Sequence, residues 1–289
     1  MKNLQLGFPT FTLALVAASS LFFSCENEDL NPELQESKTF TKQEQANLTK
    51  IGFDQEKTKK NVLSYPDGTS EEFYVYNDLT YAVANIGNLD NLESDSNSED
   101  GNEKLFRTTN LAARNRQYTI AFFDMNAQYQ RQAIGDAIWQ FNNTLDTSIT
   151  LRAVFANGAD FGNTQRDIAV FWDNTIGNFY ALAEFPANNR PGRTIRVNWT
   201  PSILADFDDR ANFRELIMHE VGHQFGLRHS DWRANGEPVS ELGAIHIPGT
   251  DNTGRSQNSI MVATAPLAGR WFTNQDIVAM RALYGFVPR

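Results

Sequence analysis

The sequence predicts an α+β fold, and three observations carry that prediction. From Gln117 onward, short apolar runs alternate with segments whose apolar residues recur at helical spacing. One of those helical segments holds three of the chain's four histidines within the eleven residues from His219 to His229. Composition also changes along the chain: every lysine lies at or before Lys104 and every arginine at or after Arg107, which sets a boundary between two differently built parts.

Taken in order, Lys2 and the apolar run 11–23 read as an export signal over residues 1–24. That run is too short for a comfortable membrane span. Cys25 is the only cysteine, and it sits where a bacterial lipoprotein signal places its lipidated residue, although Phe22 and Phe23 stand where smaller residues are usual. The acidic residues Glu26, Glu28 and Asp29 then resemble the tether of lipoproteins sent to the outer membrane or cell surface. The expectation is an exported protein anchored through Cys25, released extracellularly if later processed. A lone cysteine permits no internal disulfide. Residues 26–60 are polar and read as extended or loosely helical. A strand is predicted at 73–76, after the turn signal Pro66-Asp67-Gly68. The run 93–103 reads as a solvated acidic linker. Residues 26–104 carry 18 acidic against 7 basic groups, whereas 105–289 carry 17 of each. No basic stripe exists, which argues against nucleic acid as a partner.

Beyond Gln117 the reading is a strand at 118–123 and a helix at 127–143 with Ile134, Ala137, Ile138 and Phe141 inward. Strands follow at 149–155, 168–172 and 194–199, with a shorter candidate edge strand at 179–185, flanked by Gly177 and Pro186. A helix is predicted over about 209–225, capped by Asp208 or Asp209, with Phe213, Leu216 and Ile217 as its apolar stripe. Residues 230–258 read as irregular. A last helix starts at Thr273, where Asp276 three residues on is similar to a capping box, and stops at Gly285.

The helix over 209–225 carries the chemistry. His219-Glu220-Val221-Gly222-His223 continues to Gly226 and His229 in the order H-E-x-x-H-x-x-G-x-x-H. Residues four apart on a helix share a face, with Cβ atoms about 5–6 Å apart. His219 and His223 can therefore grip one ion. Gly226 can adopt the left-handed turn that ends the helix, after which the chain can return His229 as a third ligand. Three protein ligands leave the fourth position of a tetrahedral zinc site open for water, the arrangement of a catalytic site. Glu220, next to His219, is the candidate base for that water. Other groups do not reach this standard. His246 lies in a loop seventeen residues past His229 and is expected to face solvent. Asp231 either orients the loop after His229, hydrogen-bonds one of the ligand imidazoles, or is an ordinary loop residue. Asp160, Asp167, Asp206, Asp208 and Asp209 fit no calcium-loop spacing.

The extended motif resembles the metzincin clan of zinc peptidases. Ser259-Ile260-Met261, thirty residues beyond His229, looks like the clan's Met-turn, with Met261 beneath the metal. Within the clan, the run from His219 to Trp232 and the C-terminal piece 258–286 are similar to the dual-action HEIGH metallopeptidase family; Val221 stands where that name has isoleucine. Ala263 stands where some metzincins have a tyrosine, so no such residue is assigned. The resemblance covers roughly 115–289. It implies a metzincin-like domain, with a twisted mixed sheet, an active-site helix and a C-terminal helix, preceded by a small pro-segment. It also implies one catalytic zinc ion and a polypeptide substrate, pairing antiparallel with the edge strand at 179–185. The domain reading is a lipoprotein-type signal at 1–24, an acidic tether, pro-segment and linker at 25–104, and the zinc metallopeptidase domain at 105–289. The pro-segment has no cysteine to block the metal. Asp78 is a possible blocker, a plain surface carboxylate the alternative. Removal is expected by a cut between about Lys104 and Arg116. Two other functions stay open: a surface adhesin that keeps the peptidase fold, and a zinc hydrolase acting on a non-peptide bond.

Overall fold

The computed structural model describes residues 40–89, 105–232, 237, 244–250, 258–263 and 267–288. The export signal, Cys25 and the acidic linker 93–103 lie outside the described residues.

Helix α1 (Lys42–Ile51) opens on Thr41, whose hydroxyl accepts from the Glu44 amide while the Glu44 carboxylate accepts from the Thr41 amide. It ends at Gly52, in the left-handed conformation (φ 78°) that glycine takes at least cost. Strands β1 (Lys59–Ser64), β2 (Ser70–Tyr76) and β3 (Leu79–Ala82) follow as an antiparallel meander. Next come β4 (Phe106–Arg107), β5 (Arg116–Phe123), α2 (Gln128–Asn143), β6 (Ile149–Ala156), β7 (Ile168–Trp172), β8 (Ala181–Glu184) and β9 (Thr194–Val197). The short helix α3 (Pro201–Leu204), α4 (Arg210–Gln224), β10 (Ile245–His246) and α5 (Asn274–Tyr284) complete the described elements.

Eight strands form one mixed sheet in the order β1-β2-β3-β8-β9-β7-β5-β6. Strands β9, β7, β5 and β6 are parallel, and β8 runs antiparallel to β9. Strand β3 pairs in parallel with the other side of β8. Two expectations change as a result. The segment ahead of the linker is no separate appendage: it supplies three strands of the common sheet. The stretch expected to be an edge strand is internal, because β3 covers it. The strand expected at 194–199 also stops early, at Val197. The Asn198 side chain donates to the carbonyls of Gly177 and Phe179 and accepts from the Thr200 amide, which bends the chain out of the sheet.

The main core lies between the sheet and helices α2, α4 and α5. Ala133, Ile134, Ala137 and Phe141 of α2 meet Ile120, Phe122, Ile168 and Val170 of the sheet. Burying each of the larger side chains is worth about 1.5–3 kcal/mol against exposure. Helix α4 passes through this core, and every residue from Phe213 to Gln224 is buried. Its N-cap is Asp209, whose carboxylate accepts from the amides of Ala211 (2.7 Å) and Asn212 (3.0 Å). Two of the charged side chains buried on α4 have partners. Glu215 accepts from the Ala268 amide at 2.9 Å and from Arg270, and Arg214 lies 3.3 Å from the Trp271 ring centre. Among the described residues no helix is long and apolar enough to cross a membrane.

Candidate metal centre

Helix α4 brings His219 and His223 onto one face, as the four-residue spacing requires. The chain leaves the helix after Gln224 and turns through Gly226, whose φ of 90° only glycine takes without strain. A side chain here would also collide, since its Cβ would lie 2.7 Å from Leu111 and 3.0 Å from the Thr108 hydroxyl. The turn is held from outside: the Thr108 amide donates to the Gly226 carbonyl (2.8 Å) and the Arg228 amide to the Phe106 carbonyl (2.9 Å). His229 then returns to the first two histidines. The three rings converge, with His223 Nε2 3.0 Å from His219 Nε2 and 3.1 Å from His229 Nε2.

The outward nitrogens settle which ring atoms carry protons. His219 Nδ1 lies 2.8 Å from the Ile260 carbonyl, His223 Nδ1 2.8 Å from the Leu227 carbonyl, and His229 Nδ1 contacts the Glu237 carboxylate. Carbonyl and carboxylate oxygens only accept, so each Nδ1 carries a proton and each Nε2 is the ring nitrogen left to meet an ion. Burial would lower the His229 pKa, but the Asp78 and Glu237 carboxylates outweigh it and push it well above the ordinary value. Three Nε2 atoms brought together in a buried site make a donor set for one cation. Their spacing is close to the ~3.3 Å edge of a tetrahedron with ligands ~2.0–2.1 Å from its centre. The residues fit a metal ion. His223 is suited to that role, because burial and its neighbouring imidazoles push its pKa well below the ordinary value and keep it neutral.

A fourth group joins the cluster. Asp78, at the turn between β2 and β3, places Oδ2 3.0 Å from His229 Nε2 and 3.7 Å from His219 Nε2. Among the described residues Asp78, His219, His223 and His229 form the one group able to hold a metal ion. Burial would raise the Asp78 carboxyl, but His229 and His219 outweigh it and hold it well below the usual carboxylate range. Of the two readings the sequence left open for Asp78, the contact with the histidines is the one observed.

Glu220 is 2% exposed, and its Oε2 has no hydrogen-bond partner among the described residues. Burial and the charge of Asp78 raise its pKa well above the ordinary value, giving the character of a proton acceptor and donor. Glu220, His219 and Asp78 line a cleft of about 180 Å³ whose remaining wall includes Tyr180, Leu216, Val262 and Leu267. A larger cleft of about 470 Å³, around Tyr65, Glu71 and Arg193, contains none of the metal group.

Met261 is fully buried, and Gly222 faces it so closely that an added Cβ would lie 2.5 Å from the Met261 sulfur. The Ser259–Met261 stretch is fixed by the buried Asp276 of α5, which accepts from the Ser259 hydroxyl, the Ile260 amide and the Thr273 amide. Since Ile260 in turn accepts from His219, α5 supports that imidazole at one remove. Asp231 orients the loop after His229, accepting from the Ala263 amide at 2.8 Å. His246 lies away from the cluster; it is half-buried, not solvent-facing, with Nε2 3.2 Å from the Thr250 hydroxyl. Three of the five aspartates set aside for calcium have other partners: Asp167 pairs with Arg116, Asp206 accepts from Tyr180, and Asp209 caps α4. Sequence reasoning missed Glu237, which is buried and bridges His229 to Arg228. It lies eight residues past His229, in a stretch without periodicity, so no spacing rule points to it.

No curated protein sequence matches the chain. Among the solved structures similar to parts of it are two of myroilysin. "Structure of Myroilysin" shares 12% identity, covering 60% of this chain and 81% of that one, at a TM-score of 0.38. "Crystal structure of myroilysin" shares 14%, covering 60% and 84%, at a TM-score of 0.36. The family model for the dual-action HEIGH metallo-peptidase matches residues 73–284, a span that takes in Asp78, the three histidines, Glu220 and Met261. The chain belongs to the dual-action HEIGH metallo-peptidase family.

Proposed function

We propose that this metallopeptidase is a zinc-dependent endopeptidase of the metzincin type, with His219, His223 and His229 as ligands and Glu220 as the base. The observation that carries the reading is the meeting of three buried imidazole Nε2 atoms beside a buried carboxylate, Glu220, whose Oε2 has no partner among the described residues. Zinc suits three imidazoles with an open position, whereas the common non-haem iron site uses two histidines and a carboxylate. Bound there, zinc supplies Lewis acidity, which makes a water acidic near neutral pH and polarises a carbonyl. Glu220 takes the proton from the attacking water and passes it to the leaving amine, a transfer its place beside His219 in the cleft suits. Ser259-Ile260-Met261 acts as the Met-turn: its Ile260 carbonyl orients His219, and Met261 packs under the helix at Gly222. The polypeptide substrate pairs with β8, so the working form is one from which β3 and Asp78 have been withdrawn.

The lipoprotein reading stands on the sequence around Cys25. It places the chain at the bacterial outer membrane or cell surface, with extracellular release after processing. Cys25→Ser should free the full-length protein from membranes or stall its processing; a wild-type protein that is soluble after export would remove the anchor. For the enzyme, casein digestion by the processed protein with and without a chelator is the direct test. Chelator-sensitive cleavage supports the peptidase. Metal binding without cleavage of any protein would favour the adhesin or a non-peptide hydrolase.

A further inference from the structure

The segment Phe40–Leu89 occupies both places a substrate needs. Strand β3 pairs with β8, with Leu79 opposite Ala183 and Thr80 opposite Glu184. The Ala183 amide donates to the Asp78 carbonyl and the Phe185 amide to the Thr80 carbonyl, both at 2.9 Å. The Asp78 side chain meanwhile reaches the histidines. Because β3 runs parallel to β8, opposite to the sense proposed for a substrate, the segment offers the metal group a carboxylate and not a scissile carbonyl.

The contacts that hold this segment extend well beyond the cleft. Phe53, Tyr76 and Leu79 share an apolar cluster with Phe185 and Ala187, and the Phe53 and Phe185 ring centres are 5.9 Å apart. Phe73 and Ala82 share another with Ile176 and Leu182. The Arg193 guanidinium meets Glu71 at 3.0 Å, and the buried Arg196 donates to the Ser64 carbonyl at 2.6 Å. Thr109 donates to the Lys50 carbonyl at 2.8 Å, and Arg228, beside the third histidine, donates to the Gly52 carbonyl at 3.2 Å. Each of these contacts joins residues 40–89 to residues at or after 105. A cut within 90–104 breaks none of them.

We propose that residues 40–89 are a built-in inhibitor whose docking outlasts cleavage of the linker, so that the nicked protein is a latent two-chain complex and activity appears only when the segment itself is removed. This rests on the peptidase reading and deepens it with the regulation of the same site. It also separates three events: the cut, activation and release. The tether from Cys25 enters this segment, so a nicked enzyme stays on its anchor while the segment stays docked.

The test uses the full exported chain with the recognition sequence of a site-specific protease inserted within residues 93–103. After cutting, the two pieces should leave a size-exclusion column together, and casein hydrolysis should stay at the uncut level until the segment is digested away. Cobalt in place of zinc gives a readout that needs no turnover. Its visible spectrum should be the same before and after the cut, and should change in Asp78→Ala or, if that variant does not fold, Asp78→Asn. Pieces that separate on cutting, or that co-elute with full activity, overturn the proposal. A cobalt spectrum indifferent to both Asp78 variants overturns it as well. If no form ever cleaves casein, the peptidase reading fails, while co-elution and the cobalt spectrum still decide whether the segment docks on the metal.

Discussion

At the scale of single residues, the site divides into groups that touch the metal position and groups that hold those in place. Glu220→Ala should keep about one zinc per chain and lose hydrolysis by roughly 10²–10⁴-fold, the usual contribution of a positioned base. Metal analysis beside a casein assay checks this, and undiminished cleavage would refute the assigned role. His219→Ala should instead lose the metal and lower the melting temperature, since binding free energy is also folding free energy. Gly222→Ala tests the floor of the site. An alanine Cβ would sit 2.5 Å from the Met261 sulfur, so the methionine must move, and overpacking of this kind costs about 1–3 kcal/mol. Met261→Ala in the same chain should recover part of that loss in thermal melts; no recovery would mean the strain lies elsewhere. The histidine cluster and the neighbouring Glu220 were legible because helical spacing and a glycine turn leave a local pattern. Glu237 and Asp276 were not legible as supports of the site, because each reaches its partner through tertiary folding: Asp276 is 57 residues from the His219 it indirectly steadies.

Elements were legible where an amphipathic period runs long enough, as in α2, or where a cap stands out, as in α5. The strands of the N-terminal segment were harder. Leu79–Ala82 is buried at all four positions, so it has no alternation to read, and its partner β8 lies a hundred residues away. Helix α1 was hidden by its polar composition, since only Asn47, Leu48 and Ile51 are buried. What holds α1 to the meander also makes it acid-sensitive. Burial would raise the Glu44 carboxyl, but the Thr41 amide, the hydroxyls of Tyr74 and Thr41, and Lys60 hold it at about 2, below its ordinary 4.5. A depressed carboxyl contributes stability that is fully present above the unfolded pKa and is lost as pH falls through the folded one. Between about pH 4.5 and 2, then, α1 should loosen progressively. Hydrogen exchange across 42–51 should quicken over that window, and Glu44→Gln should remove most of the pH dependence. Equal sensitivity in that variant would assign the effect to another carboxylate.

For the whole molecule, the lysine/arginine boundary and the linker predicted a cut between about Lys104 and Arg116, but burial narrows that window. Leu105, Phe106, Thr108 and Ala112 are all buried, and β4 pairs with β10 while its flanks grip the turn that carries His229. Phe106 packs edge-on against Trp232, with ring centres 5.2 Å apart. A terminus inside this strap would sacrifice a core aromatic worth about 3–5 kcal/mol and two backbone bonds to the metal turn. Tolerance of a cut follows burial and bonding of the backbone, not sequence position. N-terminal sequencing of the active species should therefore find a start at or before Leu105. A chain of residues 105–289 should hold zinc more tightly, and melt higher, than one of 117–289, although both contain every ligand. Equal zinc content and equal melting temperature for the two would show that the strap is dispensable, and the composition boundary at Lys104 would then mark only the end of a linker.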